Sequence, residues 1–246
     1  MSAQLRAELL KLRSTRTTVG LLAAMLSLVT TAVALHGYGL SPGDLDSGSK
    51  QLTALVGWGA ILGTLFAGLL GVMSFTGEIR HGTIRPTLLV NPQRGRVIGA
   101  KAGAVVLVGA GFGLTATAVA SIVGRAALGA RDIDILLGGG DQALLLAGGT
   151  AAAALWAVIG LGVGAVICSQ VPALVGLAVW ALFIEGQLVA NVPAVGRLAP
   201  GAVGQATSGL NPGTLLAPAL GALLLILYAA GAAVAGWRAT ARRDLA

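Results

Sequence analysis

The sequence predicts an all-α, polytopic membrane protein with six transmembrane helices, and two observations lead to this fold class. Of 246 residues, 56% are hydrophobic and only 10% are charged, whereas soluble domains carry about 25% charged residues. The apolar residues are gathered into six long runs, each long enough to cross a hydrocarbon core of about 30 Å as a helix. We therefore expect a single transmembrane domain over residues 1–246, without a soluble domain.

The breaks between the apolar runs define the expected elements. We expect spans at about 18–36, 52–76, 97–123, 143–168, 172–191 and 214–236. The shortest break lies between the fourth and fifth spans, where Pro172 cannot continue one helix but suits the first turn of the next. Small residues recur at every fourth position within three spans, which favours close helix packing. They are Gly59, Gly63, Ala67 and Gly71; Gly109, Gly113, Thr117 and Ser121; and Gly160 and Gly164.

Residues 1–17 have the pattern of an amphipathic helix that lies at the membrane surface. Leu5, Leu9 and Leu12 fall on one helical face, and the cations of this segment fall away from it. A competing interpretation treats the first apolar run as a cleaved signal peptide, because Ala32-Val33-Ala34 has the small-x-small form of a cleavage site. Cleavage would leave five spans and place the basic second connection outside, so we favour an uncleaved first span.

The distribution of cations predicts that both termini are cytoplasmic. Most of the 16 Lys and Arg residues lie at the N-terminus, in the connection between the second and third spans, or at the C-terminus. Membrane proteins retain such basic segments on the cytoplasmic side. The opposite side is left with Lys50, Arg125, Arg131 and Arg197 among five aspartates. Because the cations flank apolar runs, membrane topology explains the net charge of +7 better than a nucleic-acid partner does.

The connection 192–213 is rich in glycine and proline, and it is too broken by proline to form a further span. Residues 202–210 are nevertheless apolar enough to lie at the outer interface or to dip into the membrane. Backbone at that depth has to be covered by protein or to line a wet cavity.

The motifs of common enzyme classes were not found. The sequence contains no G-x-x-x-x-G-K-[ST] phosphate loop, no G-x-S-x-G nucleophile elbow and no H-E-x-x-H zinc motif. His36 and His81 are expected on opposite sides of the membrane, and the single Cys168 excludes a cysteine cluster. We therefore expect no catalytic residues, no metal site and no cofactor in this chain.

Glu185 is the one ionisable residue expected within the fifth span, and Gln187 and Asn191 follow it one turn apart. A carboxylate at depth can line a substrate path or take up a coupling proton. It can equally be a structural group that is hydrogen-bonded to the bundle or to water. An ion-coupled secondary transporter thus stays open, although the two halves of the chain show no visible repeat of the kind common in such transporters.

The connection 78–96 is a compact cationic island between two apolar runs. Within residues 83–90, Ile84, Leu88 and Leu89 recur at helical spacing. This pattern predicts a short cytoplasmic helix with an apolar face, which is typical of a docking element.

These features together resemble the permeases of type-2 ATP-binding-cassette (ABC) transporters, which are six-span half-transporters that work with a separate ATPase. The resemblance covers nearly the whole chain, including the segment from Glu8 to Arg16 before the first span, Glu185 in the fifth span, and the closing Arg242-Arg243-Asp244. The chain departs from the family at Pro86, where a helix former is expected. The most specific part is the connection, with Glu78, Arg80, His81, Gly82, Thr83, Ile84, Arg85, Leu88, Leu89, Pro92, Arg94 and Arg96.

The resemblance implies a non-catalytic permease subunit of an ATP-driven exporter in a bacterial plasma membrane. Two permease copies, identical or different, would form the substrate path, and the partner ATPase would bind ATP and Mg²⁺. Residues 82–91 would be the coupling helix on that ATPase, while Glu185, Gln187 and Asn191 are candidates for the substrate path. The alternative is an autonomous membrane protein, either a secondary transporter or a scaffold.

Overall fold

The structure is a computed structural model that describes residues 3–39, 48–83, 94–135, 137–210 and 213–242. Within these ranges the chain is helical and contains no β-strand. A π-helical turn, Trp180–Ile184, interrupts the fifth long helix. The α-helices are α1 (Ala3–Ser14), α2 (Arg16–Gly39), α3 (Gly48–Arg80), α4 (Arg94–Gly129), α5 (Gly139–Ile167), α6 (Gln170–Val179), α7 (Glu185–Asn191), α8 (Pro193–Gly196), α9 (Pro200–Thr207) and α10 (Pro218–Arg242).

Among the described residues, six helices are long and apolar enough to cross a membrane, which confirms the predicted fold class. They are α2, α3, α4, α5, the continuous run α6–π–α7 and α10. The break predicted before Pro172 is present, because α5 ends at Ile167 and α6 begins at Gln170. The second span, α3, extends about one turn beyond the predicted 52–76 at each end. The last span, α10, begins at Pro218 rather than near 214.

Helices α3 and α5 form the centre of the bundle. Of the 18 most apolar consecutive residues of α3, 78% are buried inside the protein, whereas the corresponding share in α2 is 17%. The two central helices touch through glycine: a Cβ added at Gly160 would overlap the carbonyl of Gly68, and one at Gly71 would overlap the carbonyl of Ala157. The close packing predicted from the small-residue ladders is therefore realised along α3 and α5.

Residues 192–210 form a re-entrant segment that folds back into the bundle. Its first short helix, α8, leads into α9, whose Ala202 and Val203 are fully covered. The indole Nε1 of Trp156, in the interior of α5, donates to the carbonyl of Pro200 at 3.3 Å. Tyr228 of α10 donates its hydroxyl to the carbonyl of Leu198 at 2.8 Å. Residues 199–210 are thus buried or half-buried in the bundle, whereas most of residues 192–198 are exposed.

The two ends of the bundle differ in the elements that they gather. One end, which we call the basic end, brings together α1, the last turn of α3, the first turns of α4 and the end of α10, where Trp237 lies beside Gly95. At the distal end, Arg131 donates to the carbonyl of Gly37 at 2.6 Å, and Arg125 donates to Gln142 at 2.6 Å. The elements at the basic end are those predicted to be cytoplasmic.

Candidate functional site: the base of the α3–α4 connection

Four charged side chains meet at the basic end and form what we call the ion network: Glu8, Lys11, Glu78 and Lys101. The Lys101 ammonium lies 2.6 Å from Glu8 Oε2 and 3.0 Å from Glu78 Oε1. The Lys11 ammonium lies 2.7 Å from Glu8 Oε1 and 2.8 Å from Glu78 Oε1. Each carboxylate therefore contacts both ammonium groups, and the network joins α1 to α3 and α4.

The helical pattern of α1 places Glu8 in this network. Glu8 is four residues before Leu12, so both side chains lie on the same face. That face packs inward: Leu12 is buried, and Leu5 and Leu9 pack against the core. The three leucines share one face of α1 and pack against the protein, and this face also carries a carboxylate. The placement of α1 at the membrane surface stays a prediction.

Burial makes the pairing in the network necessary. Glu8 and Lys101 are each only 3% exposed. A charge removed from water is unfavourable unless an opposite charge and hydrogen bonds replace its hydration. Because Lys101 bonds to both carboxylates, it is the residue on which the neutrality of the buried part depends.

The network shifts two pKa values outside the spans. Burial raises the pKa of the Glu8 carboxyl, but the adjacent Lys101 and Lys11 ammonium groups outweigh it, and the net pKa is lowered. Burial likewise lowers the pKa of Lys11, but its bonds to Glu78 and Glu8 outweigh it, and the net pKa is raised. Both shifts favour the charged forms of Glu8 and Lys11 around neutral pH.

The α3–α4 connection leaves α3 directly beyond the network. Gly82 adopts a left-handed conformation with φ of +68°, which ends the helix and favours glycine there. The backbone N–H of Thr83 donates to the carbonyl of Glu78 at 2.9 Å, and the His81 ring contacts the carbonyl of Gly77 at 2.7 Å. The first residues of the connection are therefore fixed on the turn that carries Glu78.

The predicted coupling residues divide into those that the structure describes and those that it does not. Glu78 belongs to the ion network, and Arg80, His81, Gly82 and Thr83 lie at the end of α3, with Arg80 Nη1 at 3.5 Å from Gln170 of α6. Ile84, Arg85, Leu88, Leu89 and Pro92 lie outside the described residues. Arg94 begins α4, but its side chain is likewise not described. The short docking helix stays a prediction.

The sequence analysis did not identify the role of Lys101, which lies just inside the third predicted span. Two signals could have indicated it: a lysine inside an apolar run, and a glutamate on the leucine face of α1. Burying either charge alone is unfavourable, and the opposite charge of the other residue compensates for this cost.

Glu185, predicted as a substrate-path residue, is the first residue of α7, and its side chain lies against the first turn of α9. It is 5% exposed, and its carboxylate accepts hydrogen bonds from Trp180 Nε1 and from the backbone N–H groups of Gly201 and Ala202. The carboxylate therefore caps α9. A Cβ at Gly201 would overlap it, so glycine is needed there.

The other two path candidates are placed differently. Gln187 and Asn191 are exposed and bond to each other, with Asn191 Nδ2 3.1 Å from Gln187 Oε1. Glu185 instead lines a cavity of about 420 Å³ together with Trp156 and Val189. The structure thus separates Glu185 from the pair, and the assignment of these three residues to a path stays a prediction.

No protein-family model matches this chain, and no curated protein matches it in sequence. Among the described residues, no group of three or more His, Cys, Asp or Glu side chains could hold a metal ion.

Proposed function

We propose that this chain is the membrane permease subunit of an ATP-driven transporter of the type-2 ABC class, paired with a second permease copy and with a separate ATPase. Its cargo would leave the cell. ATP and Mg²⁺ would bind to the ATPase, and residues 82–91 would be the contact through which that subunit acts.

The observation that carries this proposal is the ion network beneath the α3–α4 connection. A docking segment can transmit movement only if it is attached firmly to the spans that must move. Glu78, on the last turn of α3, and Lys101, near the start of α4, bracket the connection and bond to each other at 3.0 Å. A force applied to the connection would therefore move α3 and α4 together, with α1 attached through Glu8.

The position of α3 carries such a movement into the bundle. Helix α3 is the most buried of the six spans and contacts α5 through backbone-to-backbone glycine packing. Packed helices of this kind move as a unit rather than deforming. A docking site at the end of α3 is thus mechanically joined to the centre of the protein.

The secondary-transporter alternative depends on Glu185, and the surroundings of this residue favour a structural role. Its carboxylate already accepts bonds from an indole and from two backbone N–H groups. A coupling carboxylate has to exchange its proton during transport, whereas protonation here would weaken the cap of α9. The alternative retains support from the burial of Glu185 and from the cavity that Glu185 lines.

The docking role is tested with Leu88→Asp, isolated from native membranes in mild detergent. We expect normal membrane levels but loss of the bound nucleotide-binding subunit, because a carboxylate in an apolar contact is unfavourable by several kcal/mol. Leu45→Asp makes the same chemical change in the first connection, on the predicted opposite side, and should retain the subunit. A Leu88→Asp protein that retains a nucleotide-binding partner at the wild-type ratio would remove the docking role from this segment.

A further inference from the structure

A cavity of about 420 Å³ lies between α3, α7 and the re-entrant helix α9, and we call it the inner cavity. Thr64 and Leu65 of α3 form one wall, and Glu185 and Val189 of α7 form another. The volume lies within the range of about 300–1,000 Å³ that small-molecule sites occupy. None of the described residues that line the inner cavity belongs to the ion network or to the α3–α4 connection. The inner cavity is therefore a candidate ligand site that is separate from the proposed ATPase contact.

The inner cavity carries a single charged residue among the described residues that line it, and this residue is Glu185. Its carboxylate accepts three hydrogen bonds, all from uncharged donors, and no cation of the described residues pairs with it. An ionised carboxylate has about four acceptor positions, so three donors leave about one position open. A buried charge is stabilised further when an opposite charge replaces its lost hydration. A ligand with a positive charge and an N–H donor would supply both.

Two indole rings, those of Trp58 and Trp156, line the same cavity. Aromatic rings give a ligand apolar contact area, and indole attracts a cation at its face more strongly than the other aromatic side chains do. Leu65, Leu182 and Leu215 add aliphatic surface. The inner cavity thus combines one carboxylate with aromatic rings in a largely apolar lining, which suits an ammonium group on an apolar body.

Two glycines of α9 bring the re-entrant helix close to these groups. A Cβ added at Gly201 would overlap the Glu185 carboxylate, and one added at Gly204 would lie 3.3 Å from Trp156 Nε1. The same Nε1 donates to the carbonyl of Pro200. The carboxylate and this indole are therefore held in place without a ligand, and groups that are already ordered lower the cost of binding.

The inner cavity adjoins a larger cleft at the end of the bundle opposite the ion network. This distal cleft has a volume of about 690 Å³, and its walls include the first turns of α3 and α5. Trp58, Ile61, Gln205 and Thr214 line both spaces. Because the two spaces share these walls, a ligand would approach Glu185 from the distal end of the bundle.

The lining also distinguishes between classes of ligand. An anion would face the like charge of Glu185. A divalent metal ion needs about six oxygen ligands, commonly from several carboxylates, and Glu185 is the one carboxylate among the described lining residues. We propose that the inner cavity binds a small organic amine in its protonated form, with the ammonium group at Glu185 and the apolar body against Trp58 and Trp156. Such binding needs no proton exchange at Glu185, so it is compatible with the capping of α9.

The test uses the purified chain in maltoside detergent, without any ATPase, so that its outcome is independent of the proposed transport function. The probes are a benzylamine with a photoreactive trifluoromethyl-diazirine on its ring and the benzyl alcohol that carries the same group. Adducts are mapped by mass spectrometry. We expect the amine to label Leu65, Trp156 and Val189 about tenfold more than the alcohol does, as for a hydrogen bond between charged groups. Excess unlabelled benzylamine should suppress this labelling.

The role of the carboxylate is tested with Glu185→Gln, which removes the charge and keeps an acceptor oxygen. Labelling by the amine should fall about tenfold, to the level of the alcohol, and labelling by the alcohol should stay unchanged. Asp132→Asn is the matched control, because it neutralises an exposed carboxylate that does not line the inner cavity, and it should leave both labelling levels unchanged. Labelling of Glu185→Gln by the amine at the wild-type level would overturn the assigned role of Glu185.

The location of the site is tested by filling the inner cavity. Ala190→Phe adds a ring at an exposed position of α7 that lines the cavity, and labelling by the amine should fall about tenfold. Ala194→Phe adds the same ring at an exposed position of α8 that does not line it, and it should leave labelling unchanged. Adducts that Ala190→Phe does not reduce, or adducts confined to outward-facing residues such as Leu107 and Phe183, would overturn the site.

The wild-type protein by itself decides whether the ligand has to be a cation. Equal labelling of the inner cavity by the amine and by the alcohol would overturn the proposed ligand class. This comparison needs no variant, so it holds even if Glu185→Gln does not elute as a monodisperse species.

Discussion

Glu8 and Glu185 are both buried glutamates, exposed by 3% and 5%, but they are stabilised by different kinds of hydrogen-bond donor. Glu8 lies between two ammonium groups, Lys11 on its own helix and Lys101 on α4, which is distant in sequence. Glu185 accepts bonds from uncharged donors, and it connects α7 to the first turn of α9 within the same half of the chain. The first carboxylate joins elements at the basic end, and the second shapes the re-entrant segment.

The difference predicts how each region responds to change. A buried ion network is sensitive to the loss of any one member, because the remaining charges are left without compensation. A carboxylate held by N–H donors depends on having an acceptor oxygen rather than on its charge. Substitutions that separate charge from hydrogen bonding should therefore affect the two glutamates differently.

Lys101→Met should have the largest effect. It removes the ammonium that bonds to both Glu8 and Glu78, and we expect a loss of about 3–5 kcal/mol in the free energy of unfolding, as for other broken buried pairs. The loss is measured as a fall in thermal stability of the purified protein and in its level in membranes. Lys50→Met is the matched control, since Lys50 is exposed, and it should change stability by about 0.5 kcal/mol or less. Equal effects of the two variants would contradict the buried network.

Two substitutions at Glu185 should separate the contribution of its charge to stability from that of its hydrogen bonds. Glu185→Ala removes the acceptor for Trp180, Gly201 and Ala202, and we expect a loss of about 1–3 kcal/mol, as for buried donors left unsatisfied. Glu185→Gln keeps one acceptor oxygen, so its loss should be clearly smaller. Thermal unfolding of both variants measures this difference.

The same pair of variants decides between the two readings of Glu185. If the carboxylate is structural, Glu185→Gln should retain most transport at every pH. A stable Glu185→Gln protein that has lost transport, together with its pH dependence, would instead assign proton coupling to this residue.

A pH titration should show a smaller effect at the basic end. Because the pKa of Glu8 is lowered from its ordinary value of 4.5, its stabilising contribution is present above that value and is lost as the pH falls through the lower, folded pKa. Because the pKa of Lys11 is raised above 10.5, its contribution is present below that value and is lost as the pH rises through the higher, folded pKa. Glu8→Gln should flatten the acid side of the profile of unfolding temperature against pH. An unchanged acid side would show that Glu8 does not provide this stabilisation.

The parts of the fold that sequence predicted are those that local pattern determines. Six apolar runs give six long helices, Pro172 marks the break between α5 and α6, and Leu5, Leu9 and Leu12 share one face of α1. Small residues at every fourth position indicated the close packing of α3 on α5, although not which glycine faces which backbone. These features depend on neighbours within a few turns.

The parts that sequence did not predict depend on distant partners. Glu8 and Lys101 are 93 residues apart, and no local pattern pairs them. The two backbone donors to Glu185, at Gly201 and Ala202, become available only because residues 192–210 fold back and present the first turn of α9. The docking helix around Leu88 lies outside the described residues, so its pattern of apolar residues stays a prediction.

The most direct measurement of the central claim is the composition of the complex that this chain forms in native membranes. The wild-type protein is purified in mild detergent, its partners are identified by mass spectrometry and their ratio is determined. We expect a nucleotide-binding chain in equimolar amount, and ATP hydrolysis by the purified complex. A permease that elutes alone under these conditions, with no nucleotide-binding chain and no ATP hydrolysis, would contradict the proposed function.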